Sequence, residues 1–130
     1  MDRKNYEYIA TTLISVDFKK SILKKDLEIS YSAKPKFNKT NDIIIKGTVD
    51  FLADDKVIGS VKMRTIFKNQ LVEEEAEKNN FSNFNLDDQI YFMKPLLSEL
   101  SLFIANLTEK AARIPLIIPI EQILENIEKT

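Results

Sequence analysis

Apolar residues recur at two different periods along the chain, every second position in the first half and every third or fourth in the second. Tyr6, Tyr8, Ala10, Thr12, Ile14, Val16 and Phe18 fall on alternate residues, with Glu7, Thr11, Ser15 and Asp17 between most of them. Period two places successive side chains on opposite faces of a pleated strand, so this stretch predicts a half-buried first strand. Ile9 and Leu13 lie in the other phase, and an unpaired edge at this strand would invite another subunit. Leu27, Ile29, Tyr31 and Ala33 alternate with Glu28, Ser30, Ser32 and Lys34 up to Pro35, which predicts a second strand followed by an exposed connection over 36–41. Ile43, Ile45, Val49 and Phe51 share one face of a third strand. Val57, Val61, Met63, Thr65 and Phe67 mark a fourth, and Ala53-Asp-Asp-Lys56 forms the hairpin turn between them. Gly47 and Gly59, the two glycines of the chain, both stand in the apolar phase of their strands. A strand glycine there marks a bulge or the close approach of another element, and a long helix is the natural candidate.

That helix is predicted over 87–113, where Met93, Leu96, Leu97, Leu100, Phe103, Ile104, Leu107 and Ala111 repeat at three- and four-residue steps. Asp87 or Asp88 suits its start by accepting backbone N–H groups, and Lys110 and Arg113 suit the negative pole at its end. Pro95 requires either a kink or a helix that starts near Lys94 with proline in its first turn. Ile90, Tyr91, Phe92 and Leu102 widen the apolar arc beyond what one sheet needs, which points to a second packing surface. After Arg113, Pro115 and Pro119 bracket Leu116-Ile-Ile118, and Ile120, Ile123, Leu124 and Ile127 predict a short last helix. Between the fourth strand and the long helix, 69–86 is polar and acidic, with Phe81 and Phe84 either tucked over the core or poised at a groove. Four strands followed by two helices imply an α+β fold: a four-stranded antiparallel sheet with a long and a short helix packed on one face.

Composition narrows the chemistry. The 130 residues fit one domain spanning 1–130, and they contain no cysteine and no histidine. No disulfide, thiolate metal site or cysteine nucleophile is available, and the commonest general base is missing as well. Two glycines leave no phosphate-cradling loop. Asp54 with Asp55, and Glu73, Glu74, Glu75 and Glu77, are acidic groups without a calcium-loop spacing, so they predict solvated surface rather than a metal site. No enzyme activity and no cofactor is expected. The net charge of −1 conceals asymmetry: residues 1–68 carry 14 Lys/Arg against 9 Asp/Glu, and 69–130 carry 5 against 11. Lys19, Lys20, Lys24, Lys25, Lys34, Lys36 and Lys39 lack interleaved arginines and a recognition helix, so nucleic acid is not the expected partner. No run near the N-terminus has signal-peptide or membrane-spanning length, and the expectation is a soluble, cytoplasmic protein without membrane insertion.

The strand pattern, Leu13-Ile-Ser-Val-Asp-Phe18, the apolar series Leu96 to Leu107 and Ile114-Pro-Leu-Ile-Ile-Pro-Ile120 with Ile123 together resemble the SecB family of protein-export chaperones. The resemblance implies a homotetramer, a dimer of dimers, in which edge strands pair and long helices pack between dimers. Ile9, Leu13, Leu97, Leu100 and Ile104 would serve that oligomer interface. It also implies an ATP-independent chaperone or adaptor that binds unfolded or antitoxin-like polypeptide clients in apolar grooves. Ile22, Leu23, Leu27, Phe81, Phe84, Ile120, Ile123 and Leu124 would line those grooves. The chain departs from the family in being nearly neutral, and in stopping soon after the last helix without the family's zinc-binding tail. Engagement of the translocation motor SecA is therefore not part of the expectation. An interaction protein of the same fold that recognises one folded partner is the alternative.

Overall fold

The strands with the cleanest alternation lie in the middle of the sheet, and those with broken alternation lie at its edges. A computed structural model describes residues 3–19, 27–71 and 80–112, with side chains placed as far as Thr108. Four strands, β1 (Tyr6–Asp17), β2 (Glu28–Phe37), β3 (Ile43–Ala53) and β4 (Lys56–Asn69), form one antiparallel sheet in the spatial order β1-β4-β3-β2. One long helix, α1 (Leu86–Ala112), packs on one face of it. The predicted last helix, the proline-bracketed connector and the acidic stretch 73–77 lie outside the described residues.

β3 and β4 pair on both sides and carry the core. Ile43, Ile45, Val49 and Phe51 from β3 meet Val61, Met63 and Phe67 from β4 on the helix side, and all are buried. Against them α1 presents Phe92, Met93, Leu96, Leu97, Leu100 and Ile104. At roughly 1.5–3 kcal/mol for each fully buried large side chain, this contact is what holds helix to sheet. α1 over Leu86–Thr108 is long and apolar enough to cross a membrane by length and composition. Here its apolar stripe is core.

The hairpin turn between β3 and β4 is a two-residue loop, with Asp54 at φ 51° and Asp55 at φ 61°. Left-handed backbone at both positions matches the twist of the flanking strands. The two glycines divide the roles expected of them. Gly59 adjoins a register shift between Phe51 and Leu52, while Gly47 faces the helix: a Cβ placed there would lie 2.9 Å from Leu96 Cδ2.

Four local expectations change. First, β1 does not keep one phase. Register shifts at Ile9 and Ile14 bring Thr11 and Leu13, rather than Ala10 and Thr12, opposite Thr65 and Met63 on the helix side. Each extra residue flips the alternation, and two restore it, so Tyr6, Tyr8 and Val16 remain in the expected phase. Second, β2 runs through Pro35 to Phe37, which an edge strand allows because the missing N–H can point to solvent. Third, α1 continues through Pro95 from Leu86 rather than starting near Lys94. Fourth, its cap is Asn85, not Asp87 or Asp88: Asn85 Oδ1 accepts from Asp88 N at 2.8 Å.

Candidate functional site

The start of α1 is anchored in an aromatic cluster. A short 3-10 turn, Phe81–Asn83, capped by Asn80, directs Phe81 and Phe84 inward. Phe92 is at the centre, with its ring centroid 4.8 Å from Phe84, 4.9 Å from Phe67, 5.6 Å from Tyr6 and 6.1 Å from Phe81, mostly edge to face. Phe37 stacks on Phe84 from the end of β2. Phe81 and Phe84 are therefore 3% and 2% exposed. Of the two placements open from sequence, the tucked one is found, and neither ring offers surface to a ligand in this state. Arg3 closes the cluster, lying 4.8 Å from the Tyr91 centroid and 3.5 Å from Asp88.

Leu27 is half-buried against the core and lines a depression with Glu28, Leu52, Asp54 and Asp55. Ile22, Leu23, Ile120, Ile123 and Leu124 lie outside the described residues. Among the described residues, Leu27 lines this depression while Phe81 and Phe84 are packed in the aromatic cluster.

The expected interface residues divide into two groups. Leu97, Leu100 and Ile104 are at most 1% exposed, packed between α1 and the sheet of their own chain. They have no area left for another subunit, and the reason is geometric: they belong to the stripe that faces β3 and β4. Among the described residues the large apolar side chains exposed on α1 are Leu102 at 58% and Tyr91 at 41%, with Leu86 at its start. The signal for Leu102 was present in the sequence, since it falls outside the three- and four-residue series that marks the core. Ile9 and Leu13 are about half exposed on β1, with Tyr8, Ile14 and Val16 also open. Among the described residues α1 lies over β3 and β4 and leaves most of the helix side of β1 uncovered.

The two sheet edges are chemically unlike. β2 ends in Lys34, Pro35 and Lys36, and charge together with proline blocks strand addition. β1 is 12 residues long, and Glu7 and Asp17, near its ends, are its charged residues. Among the described residues no strand pairs with its outer edge.

Ionisable groups add structure rather than chemistry. Burial raises the pKa of the Asp42 carboxyl, but hydrogen bonds from Asn69 N–H, Asn38 and Thr40 and the charge of Lys68 outweigh it, so the net shift is downward. This carboxylate ties the 38–42 turn to the end of β4. Burial raises the Tyr31 phenol. Among the described residues no group of acidic side chains is placed to hold a metal ion.

A four-stranded antiparallel sheet with one long helix on one face, reached from four consecutive strands, is the fold of SecB-like chaperones. The structure matches that of the Mycobacterium tuberculosis Rv1957 SecB-like chaperone, solved in complex with a ChAD peptide from the Rv1956 HigA1 antitoxin. The match has a TM-score of 0.51 at 12% identity, and covers 90% of this chain and 88% of that one. A protein of unknown function from Streptococcus agalactiae is similar at a TM-score of 0.46 and 13% identity, over 88% of this chain and 98% of that one. No protein-family model matches the sequence, and no curated protein matches it.

Proposed function

We propose that the protein is an ATP-independent SecB-like chaperone or adaptor that binds non-native polypeptide by burying apolar segments, and that it works as a homotetramer in the cytoplasm. The observation that carries this reading is β1: an unprotected edge strand with five large apolar side chains exposed beside it. An open edge offers main-chain hydrogen bonds that need no particular sequence, and adjacent apolar surface adds burial that needs little. The same edge supports pairing between two copies through Ile9 and Leu13, with Leu102 and Tyr91 on the outward face of α1 as the contact between dimers. Binding of an antitoxin peptide by the structurally similar Rv1957 supports polypeptide as the client class. Protein export and antitoxin stabilisation are the two settings this reading allows.

The test has two measurements. Sedimentation should give about 60 kDa, four times the 15.0 kDa chain, and the protein should suppress aggregation of a chemically denatured client at one tetramer per client. Leu13→Glu should lower the mass and Leu102→Glu should split the tetramer into dimers. A wild-type monomer that leaves client aggregation unchanged would refute the proposal. Selective capture of a single native protein, without aggregation suppression, would favour the adaptor reading over the chaperone one.

A further inference from the structure

The sheet face turned away from α1 carries a cationic groove that the chaperone reading does not use. Along β2, β3 and β4 the side chains alternate with the buried core set, so Lys34, Lys36, Lys46, Lys62 and Arg64 all emerge on this far side. The register aligns them across the strands. Lys34 is directly opposite Lys46, Lys46 directly opposite Arg64, and Arg64 opposite Thr12 of β1. Neighbouring strands are about 4.8 Å apart, so three positive charges stand in one row with their stems side by side. Like charges directly opposite one another across strands destabilise a sheet. Among the described residues none of the four cations Lys34, Lys36, Lys46 and Arg64 forms an ion pair, and the nearest acids on this face, Glu7 toward one end and Asp17 and Asp50 toward the other, stand two rows away from Arg64.

These four cations border one groove of about 560 Å³, whose remaining lining is Thr12, Leu13, Ile14 and Ile44. Its lining is four cations with three aliphatic residues and one threonine. No aromatic ring lines it. The twelve aromatic residues of the chain are elsewhere, and the large cluster around Phe92 is on the other side of the sheet. Single-stranded nucleic acid is gripped by stacking bases on aromatic side chains along a basic track, and this surface lacks the platform. A lipid surface is met by an amphipathic helix with a broad apolar face, whereas this surface is a sheet on which Leu13, Ile14 and Ile44 stand among four cations. Carboxylates alternating with aliphatic side chains fit both parts of the groove. They would also relieve the repulsion along the row.

We propose that this groove, formed by Lys34, Lys36, Lys46 and Arg64 around Ile14 and Ile44, docks an acidic, aliphatic-rich polypeptide segment of a partner protein. The site is on the sheet face opposite α1 and shares Leu13 and Ile14 with the β1 margin, but its cations stand whether or not that margin binds non-native clients. The partner is recognised mainly by charge, so its association is fast and salt-sensitive.

The test is fluorescence anisotropy on the full chain with a labelled peptide of about twelve residues, glutamate and leucine in a two-to-one ratio; an electrostatically recognised segment of this size should weaken at least tenfold on charge reversal. Lys46→Glu/Arg64→Glu should abolish measurable binding. Lys46→Gln/Arg64→Gln, which keeps the fold while removing the charges, should weaken it about tenfold, and Lys39→Glu/Lys56→Glu, off this face, should leave it within about twofold. The same peptide with lysine in place of glutamate should not bind. The proposal is overturned if the acidic peptide does not bind, if its binding ignores Lys46 and Arg64, or if oligo-dT or phosphatidylserine vesicles bind more tightly through those residues.

Discussion

Gly47→Ala should destabilise the protein, although in an open strand the same change stabilises. Glycine in a strand interior costs about 0.5–1 kcal/mol relative to alanine through backbone entropy, so a gain is the default. Here a new Cβ would lie 2.9 Å from Leu96 Cδ2 and 3.1 Å from both Cδ1 and Cγ. The whole branched tip of Leu96 covers the site, and Leu96 is fully buried, so a rotation of one methyl group does not clear it. The helix must lift or Leu96 must leave its rotamer. Overpacking of this kind costs about 1–3 kcal/mol, which leaves a net loss of about 1–2 kcal/mol after the entropy gain. A double-mutant cycle isolates the contact. Leu96→Ala alone should cost about 2–5 kcal/mol, and in that background the methyl group added by Gly47→Ala enters vacated space, recovering about 1 kcal/mol. Urea unfolding followed by circular dichroism reads all four proteins, with unchanged m values required for the comparison. A single variant at or above wild-type stability, or a strictly additive cycle, would show that α1 does not press on β3 at Gly47.

Three further outcomes follow from the same geometry. Asp55→Gly should raise stability by about 0.5–1 kcal/mol, because φ 61° suits glycine and the adjacent Asp54 charge loses a like neighbour; a lower melting temperature would contradict the left-handed turn. The Asp42 contribution is present above its unfolded pKa of 3.8 and is lost as pH falls through its lower folded value, so Asp42→Asn should flatten the acid limb of a stability-against-pH curve, and an unchanged limb would dismiss the 38–42 tie. Leu100→Ala should cost about 2–5 kcal/mol of unfolding free energy, whereas Leu102→Ala should change protomer stability by no more than about 0.5 kcal/mol; equal losses would mean that the outward face of α1 is assigned wrongly.

The parts of this fold readable from sequence are those in which one period dominates. β3 and β4 have neighbours on both sides and a helix above, so Ile43, Ile45, Val49, Phe51, Val61, Met63 and Phe67 and the hairpin could be read directly, whereas Val57, beyond the register shift at Phe51/Leu52, is 59% exposed. α1 is readable for the same reason, down to the pressure of an unseen element on Gly47. β1 is not, because Ile9 and Ile14 each add a residue to the ladder. Alternation between the two bulges is inverted, and an edge strand with apolar groups in both phases gives pattern reasoning nothing to detect the inversion with. The assignment of Leu97, Leu100 and Ile104 to an interface erred for a related reason. A wide apolar arc shows that two surfaces are served, but only the position of the sheet says which residues serve which. Lys34, Lys36 and Lys39 read in sequence only as a basic run without interleaved arginines, because Lys46 and Arg64 are distant in sequence and adjacent only through register.

That register also explains why a net charge of −1 describes no surface of this molecule. The helix side of the sheet is apolar where α1 covers it and still apolar where β1 extends beyond the helix. The far side is cationic across its middle and carries acids toward both ends, Asp17, Asp50 and Glu28 at one and Glu7 beside Lys68 at the other. A chain in solution that approached by nonspecific burial would meet β1 and the outward face of α1, and would find little reason to settle on the lysine row. An acidic segment would do the opposite, drawn to the row over about a Debye length, roughly 8 Å at physiological salt, before any contact forms. The two sides thus select different chemistry without a moving part. The two surfaces meet at Leu13 and Ile14, which line the groove and are also exposed on β1, and the close-packed sheet between them passes strain from one face to the other. Occupancy of one side should therefore change affinity at the other, and unchanged affinity would show that the two segments do not share these residues.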